Sequence, residues 1–178
     1  MHSAARFYFE AIAPRIHDDK ASRIVDKMPV KHLFAPLIAL MRRHPLDFGL
    51  SCFQAGFGYG YASDLADTGR AHRVFADIMD RWHALLGSRI HAVRYEKLVS
   101  NPADEIARRL EHCGMAFHPD CAAPGEQGGL IKTASVTQVC RPISDRSVGR
   151  WKRCEDELAP MIEAMGGMDW IQRHHHAG

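Results

Sequence analysis

Two guanidinium groups stand just before a proline in the run Arg42-Arg43-His44-Pro45-Leu46-Asp47-Phe48-Gly49-Leu50-Ser51. Proline suits the first position of a helix, where its missing N–H would have no partner anyway, so a helix is expected to open at Pro45. Asp47 then falls near the third position, where its carboxylate would meet the free N–H groups and the positive end of the helix dipole. Ser51, four residues on, shares that face. Arginine beside a helix start is a natural phosphate ligand. Ser51 lies about 9 Å along the axis from Pro45 at ~1.5 Å per residue, so a phosphate held only at the helix tip would not reach it.

Three further groups have suitable chemistry. Lys27 closes a short β-branched run, Arg23 to Asp26; Tyr95, in Arg94-Tyr95-Glu96, ends a second such run; and Thr133, Ser135 and Thr137 alternate along a long loop followed by Ser147, Arg150 and Trp151. Singly, each has a plainer role as a solvated charge, a half-buried ring or a solvated hydroxyl. Together they set Lys, Arg, Ser and Tyr at strand ends, where ligands of open α/β sheets gather, and they suit an anionic nucleotide. Other chemistries are unsupported. There is no G-x-x-x-x-G-K-[ST] loop and no G-x-S-x-G elbow. His112, Cys113, His118 and Cys121 lack paired ligand spacing, so no metal is expected.

Several elements must position these residues. A short amphipathic helix is expected over residues 3–13, ending at Pro14, then a strand over 23–26 and a buried helix over 30–40. Gly56, Gly58 and Gly60 alternate with aromatics and read as an irregular loop. Ser63 is expected to cap a helix from Asp64 to Leu86, with Phe75, Ile78, Met79, Trp82, Leu85 and Leu86 as its buried stripe and Gly87 as its stop. A strand follows over 89–95. Asn101-Pro102 starts a helix that buries Ile106, Leu110 and Cys113 and ends at Gly114. Residues 115–146 read as a long loop, and a last helix covers 151–165, split by Pro160. Residues 168–178, with His174, His175 and His176, read as a disordered tail. Strands alternating with helices give an α/β fold, a small mostly parallel sheet flanked by helices.

The chain has 178 residues, one domain's worth, and ordinary apolar and charged fractions of 46% and 25%. A net charge of +2 does not argue for nucleic acid or a membrane surface as partner. Five Cys, an odd number without framework spacing, point to a reducing cytoplasm. No run of about 18 apolar residues is present, and no signal-peptide layout opens the chain.

In order and type these motifs resemble the sulfotransferase family, most closely its bacterial tetratricopeptide-repeat-linked members and its tyrosylprotein branch. Arg43-x-Pro45-x-Asp47-x-x-x-Ser51 is similar to the family's clamp on the 3′-phosphate of 3′-phosphoadenosine 5′-phosphosulfate (PAPS). The resemblance implies that Arg43 and Ser51 are its contacts, bridged by a phosphate along the helix flank. It likewise implies that Tyr95, Ser135 and Arg150 touch the nucleotide and that Lys27, in Val25-Asp26-Lys27-Met28-Pro29, assists transfer of the sulfuryl group. The fold implied is P-loop-NTPase-like and incomplete. The Arg-Ser-Gly-Thr-like loop that holds the 5′-phosphosulfate has no match, and the strand expected before Arg42 is missing or remodelled from Leu37 to Met41. The chain is therefore expected to be a single partial domain, truncated at the N-terminus or misassigned in its start. Three readings stay open: a sulfotransferase acting on the hydroxyl or amine of a small molecule, glycan or protein tyrosine; an inactive relative retaining only the 3′-phosphate half-site; and a helical interaction module. A separate repeat domain or an oligomer is compatible with each.

Overall fold

A computed structural model describes residue 10 and residues 13–15, 40–55, 60–122 and 143–176. The chain divides into two compact units, Met1–Lys31 and His32–Gly178. In the first, a 3-10 turn at Ala13–Arg15 is described. The expected strand over 23–26, with Lys27, lies outside the described residues, as do Ser135 and most of the expected helix over 30–40.

Within the second unit, two three-residue strands form a parallel pair: β1 (Leu40–Arg42) and β2 (Ala92–Arg94), in the register Leu40↔Ala92, Met41↔Val93, Arg42↔Arg94. Of the two alternatives for this strand, missing or remodelled, the second holds, its described part running from Leu40 to Arg42. A strand does lead directly into Arg43, and Leu40 belongs to it rather than to a helix. β2 is also shorter than the run over 89–95. Gly87–Arg89 forms a 3-10 turn before it, and Tyr95 opens the next helix.

α1 (Pro45–Ala55) begins at the proline, as its fixed φ favours. α2 (Leu65–Leu86) is capped by Asp64, not Ser63; the Asp64 carboxylate accepts the Asp67 N–H at 2.8 Å. After β2 come α3 (Tyr95–Ser100) and α4 (Pro102–His112), the latter with Asn101 at its N-cap as expected. The helix expected over 151–165 is resolved into a 3-10 turn, Arg150–Arg153, and α5 (Ala159–Met165). Pro160 opens α5 instead of splitting a longer helix. Gly166, at φ 102°, ends α5, and the Gly166 and Gly167 N–H groups bond back to the Glu163 and Ile162 carbonyls. That left-handed cap suits glycine. The tail expected to be disordered instead forms α6 (Met168–His176), with Trp170 and Ile171 buried. Two large apolar side chains at adjacent positions supply the burial that an isolated nine-residue helix would lack.

The core gathers Leu46 of α1, Ala76 of α2, Leu158, Met161 and Met165 around α5, and Trp170 and Ile171 of α6. α2 packs most extensively on α5. The stripe read on α2 is only partly the buried one. Met79 is buried, but Leu85 is 74% exposed, while Thr68, Gly69 and Ala76 face the interior.

Candidate functional site

Parallel pairing with Arg42 opposite Arg94 brings the residues that follow the two strands side by side at the strands' C-terminal ends. The Arg43 guanidinium lies over the Tyr95 ring, 4.6 Å from its centre. One residue further, the His44 N–H donates to Glu96 Oε1 at 2.8 Å. Two of the residues expected at the site, Arg43 and Tyr95, are thus joined by the register of a two-stranded sheet.

Arg43 is also fixed from a distant part of the chain. Its Nη2 donates to the Ser147 carbonyl at 2.7 Å. Its Nε is buried and has no hydrogen-bond partner among the described residues. A buried guanidinium N–H without a partner is costly, and an anionic oxygen is the acceptor that would complete it. No carboxylate pairs with Arg43 among the described residues.

Asp47 does not serve its own helix as expected. It is 2% exposed, and its two oxygens accept the N–H groups of Gly149 at 2.6 Å and Trp151 at 3.1 Å. Gly149 is left-handed at φ 71°, a conformation glycine adopts without the Cβ penalty. Ser51 lies one turn beyond Asp47 on the same face and is exposed. Gln54, a further three residues on, accepts from Arg150 Nη2 at 3.1 Å. The turn 147–151 therefore runs along the flank of α1 from Arg43 past Asp47 to Gln54. Of the expected site residues, Arg43 and Tyr95 are in contact, and Arg150 meets α1 at Gln54.

His44 was not anticipated. As the residue before Pro45, it accepts the Leu46 N–H at Nδ1 (3.3 Å), which requires that nitrogen to be unprotonated. Its ring stacks on Trp151, with centroids 4.9 Å apart and an interplanar angle of 13°, and it meets the His175 ring at 4.7 Å. Burial, reinforced by the charge of His175 and opposed by Asp47 and Glu96, lowers its pKa to about 4. A cavity of about 240 Å³ opens beside it, lined by His44, Asp47, Glu96, Gly149, Trp151 and Lys152 among others. Arg43, Ser51, Tyr95 and Arg150 are not among its lining residues. The local sequence gave a signal for His44, a capping position before proline, but none for its ring partners.

No group of three or more His, Cys, Asp or Glu is placed to hold a metal among the described residues, which include His112, Cys113, His118 and Cys121. Among the same residues, no helix is long and apolar enough to cross a membrane.

Residues 1–119 match the Sulfotransferase family, a span that contains Lys27, Arg43, Ser51 and Tyr95 and stops short of Ser135 and Arg150. In an alignment that covers 93% of its length, the chain is 31% identical to a protein of Aquifex aeolicus (strain VF5) described only as "Uncharacterized protein". The match covers 23% of that relative, so the chain spans about a quarter of its length.

Proposed function

This chain belongs to the sulfotransferase family, and we propose that it binds PAPS by the 3′-phosphate and serves transfer of the sulfuryl group to an acceptor hydroxyl or amine. The observation that carries this reading is Arg43, a guanidinium oriented on two sides, with a buried Nε that has no partner among the described residues. Bound there, the nucleotide would supply an activated sulfuryl group on its 5′ side. Arg43 would hold the 3′-phosphate through paired hydrogen bonds, which the point charge of a lysine does not reproduce. Ser51, exposed on the helix flank, would donate its hydroxyl to the same phosphate. Tyr95 holds the guanidinium by its ring face. Arg150 and Ser135 would complete the nucleotide contacts. Lys27 would place positive charge where it develops on the leaving phosphate. The acceptor, and any repeat domain or second copy that presents it, belong to this proposal only as classes.

Calorimetry with 3′-phosphoadenosine 5′-phosphate (PAP) tests the reading. The folded chain should bind it, Arg43→Ala should weaken binding at least about tenfold, the loss expected for a charge-assisted bond, and Arg43→Lys should restore little of it. Absence of PAP binding by a chain shown to be folded would sink the assignment of Arg43. Binding without turnover of PAPS would favour an inactive relative that keeps the half-site alone.

A further inference from the structure

Asp47 has a task that neither the sequence motif nor the nucleotide reading assigns to it. A carboxylate 2% exposed must have its oxygens satisfied within the protein. Both oxygens accept backbone N–H groups of one turn, from Gly149 and Trp151. The carbonyl of the same turn, from Ser147, takes the Arg43 guanidinium. Arg43 and Asp47 thus grip one five-residue segment at its acceptor and its donors respectively, from positions four residues apart. Trp151, stacked on His44, and Arg150, bonded to Gln54, extend the grip at the segment's far end.

This arrangement also keeps two opposite charges apart. Arg43, just before α1, and Asp47, in its first turn, carry opposite charges, yet no ion pair joins them among the described residues. With both oxygens engaged by amides, Asp47 leaves the Arg43 charge to a ligand.

We infer that Asp47 is a positioning residue: through the Gly149 and Trp151 N–H groups it holds the 147–151 turn so that the Ser147 carbonyl orients Arg43 toward a bound phosphate. The inference rests on the reading of Arg43 as the 3′-phosphate ligand, and its test separates the two. Asp47→Asn keeps the side chain's shape but sets an NH₂ group against one backbone N–H. PAP and adenosine 5′-monophosphate, which lacks the 3′-phosphate, are titrated into the full chain. For a positioning residue, affinity for PAP falls about tenfold while affinity for the monophosphate is unchanged. An equal loss for both nucleotides, or no loss for either, overturns the inference.

A ligand-free measurement covers failure of the nucleotide reading. The NMR resonance of the Arg43 Nε–H should shift in Asp47→Asn, and the Gly149 and Trp151 amides should exchange faster. An unmoved Arg43 resonance overturns the inference. A shift in a chain that binds no PAP upholds it and rejects the nucleotide. If Asp47→Asn does not fold, Gly149→Ala strains the same turn at its positive φ without crowding it, no neighbouring atom lying within 4 Å of the added Cβ. The same nucleotide-selective loss is expected, and its absence overturns the inference.

Discussion

His72 of α2 sits between the rings of Phe48 and Phe75, at centroid distances of 5.3 and 6.0 Å, and its Nδ1 is buried without a partner among the described residues. Burial first, then the charges of His174, Arg42 and His44, lowers its pKa from 6.5 to about 4. The unfolded chain takes up this proton near pH 6.5 and the folded chain only near pH 4. Stability is therefore fully present above 6.5 and falls as the pH drops through that window, by on the order of 1 kcal/mol per pH unit for His72. His44 acts in the same direction but is more exposed, so its share is smaller. We predict that His72→Phe flattens the fall in melting temperature between about pH 7 and pH 5; an unchanged slope would show that another group sets it. Legibility at this scale followed distance along the chain. Arg43 and Ser51 could be singled out because a helix start is local. The bond partners of Asp47 lie 102 and 104 residues away, and no local pattern encodes them.

Among the elements, the contact of α2 with α5 depends on small residues. A Cβ added to Gly69 would lie 2.7 Å from the Met161 carbonyl oxygen and 3.0 Å from the Ala164 Cβ. Backbone cannot yield as a side chain can. Gly69→Ala should therefore lower stability by roughly 1–3 kcal/mol, despite the ~1 kcal/mol that alanine gains in helix propensity. At Gly49 the obstruction is the Met161 thioether end, which is flexible. Gly49→Ala should cost less, and denaturant titration of both variants checks the order. The same packing explains why the periodic stripe of α2 was only partly right. Periodicity weights large apolar residues such as Leu85, whereas close approach of two helices selects Gly69 and Ala76. The strand before Arg43 was obscured for a related reason. Three residues are too few to show alternation, and only their pairing with β2 defines them. Helix boundaries marked by Pro45, Asn101-Pro102 and Gly87 were legible, because each marker acts through its own backbone.

For the molecule as a whole, the tail shows where sequence reading stopped. The residues after Gly167 carry Trp170 and Ile171 into a core also built from α1, α2 and α5. Their burial follows from partners far away in sequence, so their helical order could not be read from a histidine-rich end. The docked turn at residues 147–151 has a further consequence, and it concerns entropy. Fixing the backbone of five residues costs roughly 1–2 kcal/mol each. The four hydrogen bonds from Arg43, Asp47 and Gln54 return about 0.5–3 kcal/mol each. These sums are comparable, so the bonds share one ordering cost that none could offset alone. Losing the outlying Gln54 bond alone leaves the turn docked by the others, and losing it together with an Asp47 bond frees it. We therefore expect Gln54→Ala to change melting little by itself, but combined with Asp47→Asn to destabilise by about 0.5–3 kcal/mol more than the single effects summed. Simple additivity in that double-mutant cycle would mean that the contacts act separately. Otherwise they form a single latch, closed or open as a unit, and a ligand held by Arg43 would shift its balance toward closed.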